Sequence, residues 1–376
     1  MSKRREMSYE ERRAYRRRKR LIRRIQVYSE LALIVIVIGL VAVLVVSKLG
    51  KKDTGMTVAA EESEANAAVE EDTGLKVSAM AGEDPDAASE ESETTVTEES
   101  EVAASTGTYS AVDTGDTVSI GGDVVSEYGI LINNDTKQIV ASKNATERIV
   151  PASMTKVMTV LVAAKNISAD QLDEVVTMSH EAVDYSYAGG GSTSGFVEDE
   201  EVTVRDLFYG TILPSGGDAA AQLAMYVAGD IDSFVDMMNK EADSLGLTGT
   251  HFTNPVGFYN EDHYSTPYDI AIIMMAALDD DICNEVLNTK VYQSTATNVN
   301  PEGITISNWF LRRIEDKDIG GTIGGAKTGY VDESGSCAVS SMTSDSGTNY
   351  ICCTAKSSSS WQCIYDHVAI YKNYTK

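Results

Sequence analysis

Metal-ligand spacings are missing from this chain. Its 376 residues include four histidines and five cysteines, with no CxxC pair and no HExxH run among them. A zinc site or a redox dithiol is therefore not expected, and no metal or organic cofactor is implied. Cations are scarce as well: 31 Lys plus Arg stand against 57 Asp plus Glu, a formal charge of −26. Phosphate contacts need clustered Lys and Arg, so nucleic acid is not an expected partner. An odd cysteine count leaves at least one thiol unpaired. Cys352 and Cys353 are adjacent on a strand-like run and so face opposite sides. Cys337 on a neighbouring run could reach one of them, but buried, unpaired thiols are the expected state.

The charge is partitioned along the chain. Residues 1–26 carry a net +9, residues 50–120 a net −15 and residues 121–376 a net −20. Between the first two lies an apolar run from Leu31 to Val46, stretched by weakly polar flanks to Val27 and Leu49. At ~1.5 Å per residue this reaches roughly the ~30 Å of a bilayer core. Arg12, Arg13, Arg16, Arg17, Arg18, Lys19, Arg20, Arg23 and Arg24 crowd its N-terminal side. The positive-inside rule then predicts a cytoplasmic tail over 1–26, a single-pass span in the cell membrane over 27–49 and an extracytoplasmic remainder. The small-x-small triplet Ala79-Met80-Ala81 lies too far along to serve as a cleavage site, so an uncleaved signal anchor is expected. Residues 50–120, rich in Glu, Ala, Ser, Thr and Val, bury too little apolar area to order and read as a disordered, self-repelling acidic linker.

Residues 121–376 suit one domain. A hairpin is predicted over Tyr128–Asn133 and Gln138–Ala141, helices over Ser153–Lys165, Val204–Leu213, Asp218–Val227, Phe234–Leu245 and Ile270–Leu278, and strands over Gly325–Tyr330, Ser336–Thr343 and Tyr350–Thr354. A last helix is predicted near Trp361–Tyr371. Strands at both ends with helices between predict an α+β fold on one antiparallel sheet.

Three short segments carry chemistry. In Pro151-Ala152-Ser153-Met154-Thr155-Lys156, the hydroxyl of Ser153 and the ammonium of Lys156 share one face of a helix start. Desolvation would neutralise that lysine and let it take the serine proton. In Leu213-Pro214-Ser215-Gly216-Gly217-Asp218, Ser215 could hydrogen-bond Lys156 and relay a proton to a leaving amine. The bland role of the same turn has Asp218 capping the next helix. In Gly325-Ala326-Lys327-Thr328-Gly329-Tyr330, Lys327 and Thr328 on an exposed strand could hold a substrate carboxylate, with Gly329 admitting the substrate backbone.

Ser-x-x-Lys and Lys-Thr-Gly in this order, with a Ser-led motif between, are the signature of penicillin-binding proteins and class A β-lactamases. With Leu213–Ala220, His251–Pro255 and His263–Thr266 added, the chain from about Tyr128 to Tyr374 resembles the low-molecular-mass penicillin-binding proteins, the serine D-alanyl-D-alanine carboxypeptidases. The resemblance implies a penicillin-binding protein/β-lactamase-like fold, a sheet flanked by helices with a helical lobe. It also implies Ser153 as acyl-ester nucleophile, Lys156 as its proton acceptor, Ser215 as second hydroxyl and Lys327 as carboxylate ligand. The N–H groups of Ser153 and Tyr330 would form the oxyanion hole. The implied partners are peptidoglycan stem peptides ending in D-Ala-D-Ala and β-lactam antibiotics.

Two departures accompany the resemblance. Gly217 stands where the family's second motif usually has Asn, which keeps open a D,D-endopeptidase of the same family or a poorly catalytic peptidoglycan-binding module. The family's C-terminal β-domain and amphipathic helix are also not seen, and the N-terminal anchor is expected to replace them. A class A β-lactamase would need Glu-x-x-Leu-Asn, and the nearest match, Glu285-Val286-Leu287-Asn288, is one residue short.

Overall fold

The computed structural model describes residues 109–375. The expected cytoplasmic tail, the span over 27–49 and most of the acidic linker lie outside these described residues. Among the described residues no helix is long and apolar enough to cross a membrane.

Six strands form the main sheet: β1 (Val118–Ser119), β2 (Tyr128–Asn133), β3 (Gln138–Lys143), β8 (Gly321–Val331), β9 (Gly335–Ser344) and β10 (Asn349–Ser357). Their order is β1-β3-β2-β10-β9-β8. All neighbours are antiparallel except β1 with β3. The hairpin β2–β3 predicted from the Asn134-Asp135-Thr136 turn meets the C-terminal strands through β2–β10, with Leu131 opposite Cys352 and Ile130 opposite Cys353. The short strands β4 (Val175–Thr177) with β5 (Glu201–Thr203), and β6 (Val291–Gln293) with β7 (Thr305–Ser307), make two small ribbons. Residues upstream of 121 pack on the sheet: Val112 bridges Gln138, β1 pairs with β3, and Ala111 and Ile120 are buried. The folded region therefore starts before the expected boundary at 121, because Ala111 and Ile120 supply apolar contacts that the linker composition around them hides.

Strand alternation sorts two cores onto the two faces. Ile130, Ile132, Ile351 and Cys353 join a large core on one face, while Leu131, Tyr350 and Cys352 join a smaller core on the other. The smaller core is closed by α8 (Leu311–Ile314) and α9 (Ser360–Tyr374) through Leu311, Ile314, Ile364, Ile370 and Tyr371. The large core holds α1 (Thr155–Asn166), α3 (Val204–Ile212), α4 (Gly217–Ala228), α5 (Ile231–Ser244) and α6 (Pro267–Leu278). Ten consecutive residues of α1, Thr155 to Ala164, are buried, so its hydrophobic pattern is all-round, as for a helix central to a lobe. Helices α2 (His180–Ala188) and α7 (Asp281–Asn288) were not predicted. Both are short, and α2 has only two buried residues, Ala182 and Ser186, to mark a face. All five cysteines are buried and unpaired.

Candidate active site

Ser153 sits in a single 3-10 turn, Ala152–Met154, directly before α1. Ala152 is held at φ 45°, a left-handed conformation that a residue with a side chain adopts at a cost. Two glycines make the turn possible. Gly257, at φ +88°, lies so close that a Cβ there would stand 1.8 Å from the Ala152 carbonyl oxygen. A Cβ at Gly329 would stand 2.9 Å from the Ser153 nitrogen and 2.8 Å from Cys337 Sγ. Gly329, expected to admit the substrate backbone, also makes room for the nucleophile turn, which packs against β8.

One helical turn on, Lys156 Nζ lies 3.0 Å from Ser153 Oγ and donates to the Val256 carbonyl at 2.7 Å. The ammonium is only 2% exposed. Burial drives it well below its ordinary pKa, the Lys327 charge pushes the same way, and Asp218 opposes both. A neutral amine that donates one hydrogen to Val256 keeps its lone pair for the Ser153 proton. The Val256 carbonyl is aimed by Asn254, whose Oδ1 accepts from the N–H groups of Val256, Gly257 and Phe258 at 3.2, 2.7 and 3.0 Å. Below Lys156, Thr253 N–H donates to His263 Nδ1 at 3.1 Å, which puts the imidazole proton on Nε2, 2.9 Å from Thr155 Oγ1. Burial lowers this histidine to about 4, so it is a neutral strut.

Ser215 occupies the turn between α3 and α4 at φ 64°. Its hydroxyl accepts from Lys327 Nζ at 2.8 Å. This corrects the expected Ser215–Lys156 bond: within the described residues the second hydroxyl is tied to the strand lysine, because the turn projects it toward β8. Lys327 is also not on an exposed surface. It is 2% exposed, its second bond goes to the Thr328 carbonyl at 2.7 Å, and burial lowers its pKa to about 7. Thr328 is half-buried and Tyr330 exposed, as alternation along an edge strand requires. β8 has no strand on its outer side among the described residues, which leaves that edge to a peptide.

Asp218 does not cap α4; Gly216 holds the cap position without a side-chain bond. The Asp218 carboxylate instead accepts from Ser194 N–H at 2.7 Å and Ala219 N–H at 2.9 Å, while its second oxygen has no partner among the described residues. Its burial raises its pKa. At Gly217, a Cβ would meet Ser186 Oγ at 2.8 Å and Ser186 Cβ at 3.2 Å, so α2 closes the space beside this position. A cavity of about 440 Å³ opens on Ser215 and Thr328. The arrangement is that of a serine nucleophile with an amine base, a second hydroxyl and a second lysine, open to a ligand along a sheet edge.

The sequence reading missed Asn254, Val256, Gly257 and His263 as supports. Asn254-Pro255 and Gly257 signal a tight turn, yet nothing local says that the turn's carbonyl faces Lys156, 100 residues earlier.

Comparison with known proteins places these features in a family. The peptidase S11 family, D-alanyl-D-alanine carboxypeptidase, matches residues 114–355. D-alanyl-D-alanine carboxypeptidase DacF of Bacillus subtilis is 38% identical over 151 residues, covering 39% of this chain and 38% of that protein. The D-alanyl-D-alanine carboxypeptidase of Streptomyces sp. strain K15 is 35% identical over 225 residues, covering 57% of this chain and 75% of that one. The crystal structure of the Streptomyces K15 DD-transpeptidase superposes with a TM-score of 0.61 at 30% identity, over 67% of this chain and 98% of that one. The chain thus spans well under half the length of DacF and three quarters of the K15 enzyme. With residues 114–355, more than half of its length, matched, the chain belongs to the peptidase S11 family of D-alanyl-D-alanine carboxypeptidases.

Proposed function

We propose that this protein is a serine D,D-carboxypeptidase that removes the terminal D-Ala from peptidoglycan stem peptides ending in D-Ala-D-Ala. The observation that carries the reading is the 3.0 Å approach of a desolvated Lys156 amine to Ser153 Oγ. Ser153 attacks the penultimate carbonyl carbon while Lys156 takes its proton, and the N–H groups of Ser153 and Tyr330 hold the oxyanion. Collapse breaks the peptide bond, and Lys156 returns the proton it took from Ser153 to the departing amine, which leaves Lys156 neutral again; Ser215 is the second hydroxyl, bonded to Lys327. Thr328 and Lys327 hold the terminal carboxylate. Water then cleaves the acyl ester, with Lys156 again as base. β-Lactams, which present a strained equivalent of that amide, acylate Ser153. The family match and the curated relatives' names support carboxypeptidase action over endopeptidase action or mere binding.

Release of D-Ala from diacetyl-Lys-D-Ala-D-Ala by the full-length protein, together with labelling by fluorescent penicillin, tests this. Both are expected to vanish in Ser153→Ala; equal release by that variant would overturn the assignment.

We further propose that residues 27–49 anchor the protein in the cell membrane with residues 1–26 in the cytoplasm and the catalytic domain outside. The apolar run and its basic N-terminal flank support this. Protease added to intact spheroplasts is expected to digest the catalytic domain; protection of that domain would reverse the orientation.

A further inference from the structure

The wall of the cavity beside Ser215 carries two adjacent cations that the reaction above does not use. Arg312 and Arg313 lie on the short helix α8 and line the cavity with Trp309, opposite Ser215 and Thr328. The helix is fixed to the catalytic strand. Asn308 Nδ2 donates to the Ala326 carbonyl at 2.9 Å, while its Oδ1 accepts from Phe310 N–H at 3.0 Å and Leu311 N–H at 3.2 Å. Phe310, Leu311 and Ile314 are buried beneath. The helix that carries the two arginines is thus held in place relative to the catalytic strand before any ligand arrives.

Neither has an acidic partner among the described residues. Arg312 Nη1 donates to Ser307 Oγ at 3.2 Å. Arg313 Nη1 makes a long bond to the Trp309 carbonyl, 3.4 Å, and its Cζ stacks 3.7 Å above the Trp309 ring and 5.2 Å from that of Trp361. Its Nε is buried with no hydrogen-bond partner. Acids outnumber bases by 20 in residues 121–376, so two neighbouring arginines that repel each other and face no carboxylate are an unbalanced charge. A planar guanidinium with unfilled donors suits a carboxylate, and about 440 Å³ is room for a small ligand group.

We propose that Arg312 and Arg313 form an anion subsite for a carboxylate on the acyl part of the substrate, making the enzyme selective for stem peptides with a free acidic group upstream of the scissile bond. This rests on the carboxypeptidase reading. The leaving D-Ala has one carboxylate, which Lys327 and Thr328 hold, so a second carboxylate belongs to the acyl portion.

The test compares L-Ala-γ-D-Glu-L-Lys-D-Ala-D-Ala with the same peptide carrying the glutamate α-carboxyl as an amide. Binding to full-length Ser153→Ala, followed by tryptophan fluorescence, separates the subsite from turnover. The acidic peptide is expected to bind about tenfold more tightly, the weight of one charge-assisted hydrogen bond. Adding Arg312→Gln or Arg313→Gln should bring the ratio close to one, with Arg312→Lys keeping part of it. In otherwise wild-type protein the same preference should appear in KM. Equal binding of the two peptides would overturn the proposal, as would variants that weaken both peptides alike. Preferential binding of the acidic peptide without D-Ala release would sink the carboxypeptidase reading and leave the subsite standing.

Discussion

Lys327 Nζ donates to Ser215 Oγ across 2.8 Å, tying the outer strand of the sheet to the turn between two helices of the lobe. Residues bonded in this way act as a unit. Ser215→Ala and Lys327→Ala are each expected to lower kcat/KM by at least about tenfold, the weight of a charge-assisted bond. The double variant should lose little more than the worse single one. Strictly multiplicative losses would show that the two side chains act separately.

Activity should follow a bell-shaped pH profile. Lys156 serves as base only when neutral, so the rate falls on the acid side as it gains a proton. Lys327 holds a carboxylate only while charged, and its pKa of about 7 makes kcat/KM fall as the pH rises through that value. Lys327→Arg stays charged throughout, so its alkaline limb should move upward by more than a unit. An unmoved limb would assign it to another group. Stability has the opposite dependence. A depressed lysine binds fewer protons when folded than unfolded, so the fold gains stability from about pH 7 up to the ordinary lysine range. Thermal melts at pH 7 and 9 should show the wild type rising relative to Lys327→Met.

Restoring the family's usual amide at Gly217 is not expected to help by itself. The new Cβ would stand 2.8 Å from Ser186 Oγ, and Ser186 is held by its bond to the Ser192 carbonyl at 2.7 Å. Gly217→Asn should destabilise by about 1–3 kcal/mol through overpacking and show no gain in deacylation rate. Combined with Ser186→Gly, the loss in Tm should be smaller than the sum of the single losses. Additive losses would mean that Ser186 is not the obstacle.

Asn254 acts through Lys156 without touching substrate. Asn254→Ala releases three backbone N–H groups and the carbonyl that aims the amine. About 1–3 kcal/mol of stability should go with each unmet buried bond. Penicillin acylation should slow with little change in peptide KM, and Asn254→Asp should recover part of the rate. A pure KM effect would place Asn254 in substrate binding instead.

Most of the elements were legible because their signals are local. The Asn134-Asp135-Thr136 turn between two apolar runs predicts β2–β3, and the apolar stretch after Lys156 predicts α1. The Ser-x-x-Lys spacing by itself brings Ser153 and Lys156 to one face, since residues three apart on a helix are neighbours whatever surrounds them. Contacts between distant segments carry no such periodicity. That Ser215 meets Lys327 and not Lys156, that Gly329 makes room for the nucleophile turn, and that the Val256 carbonyl accepts from Lys156 all depend on how the lobe sits on the sheet. Burial is the deciding quantity. The sequence names the two lysines, but only the packed tertiary structure removes them from water, and a lysine left in water would remain charged and could not act as a base.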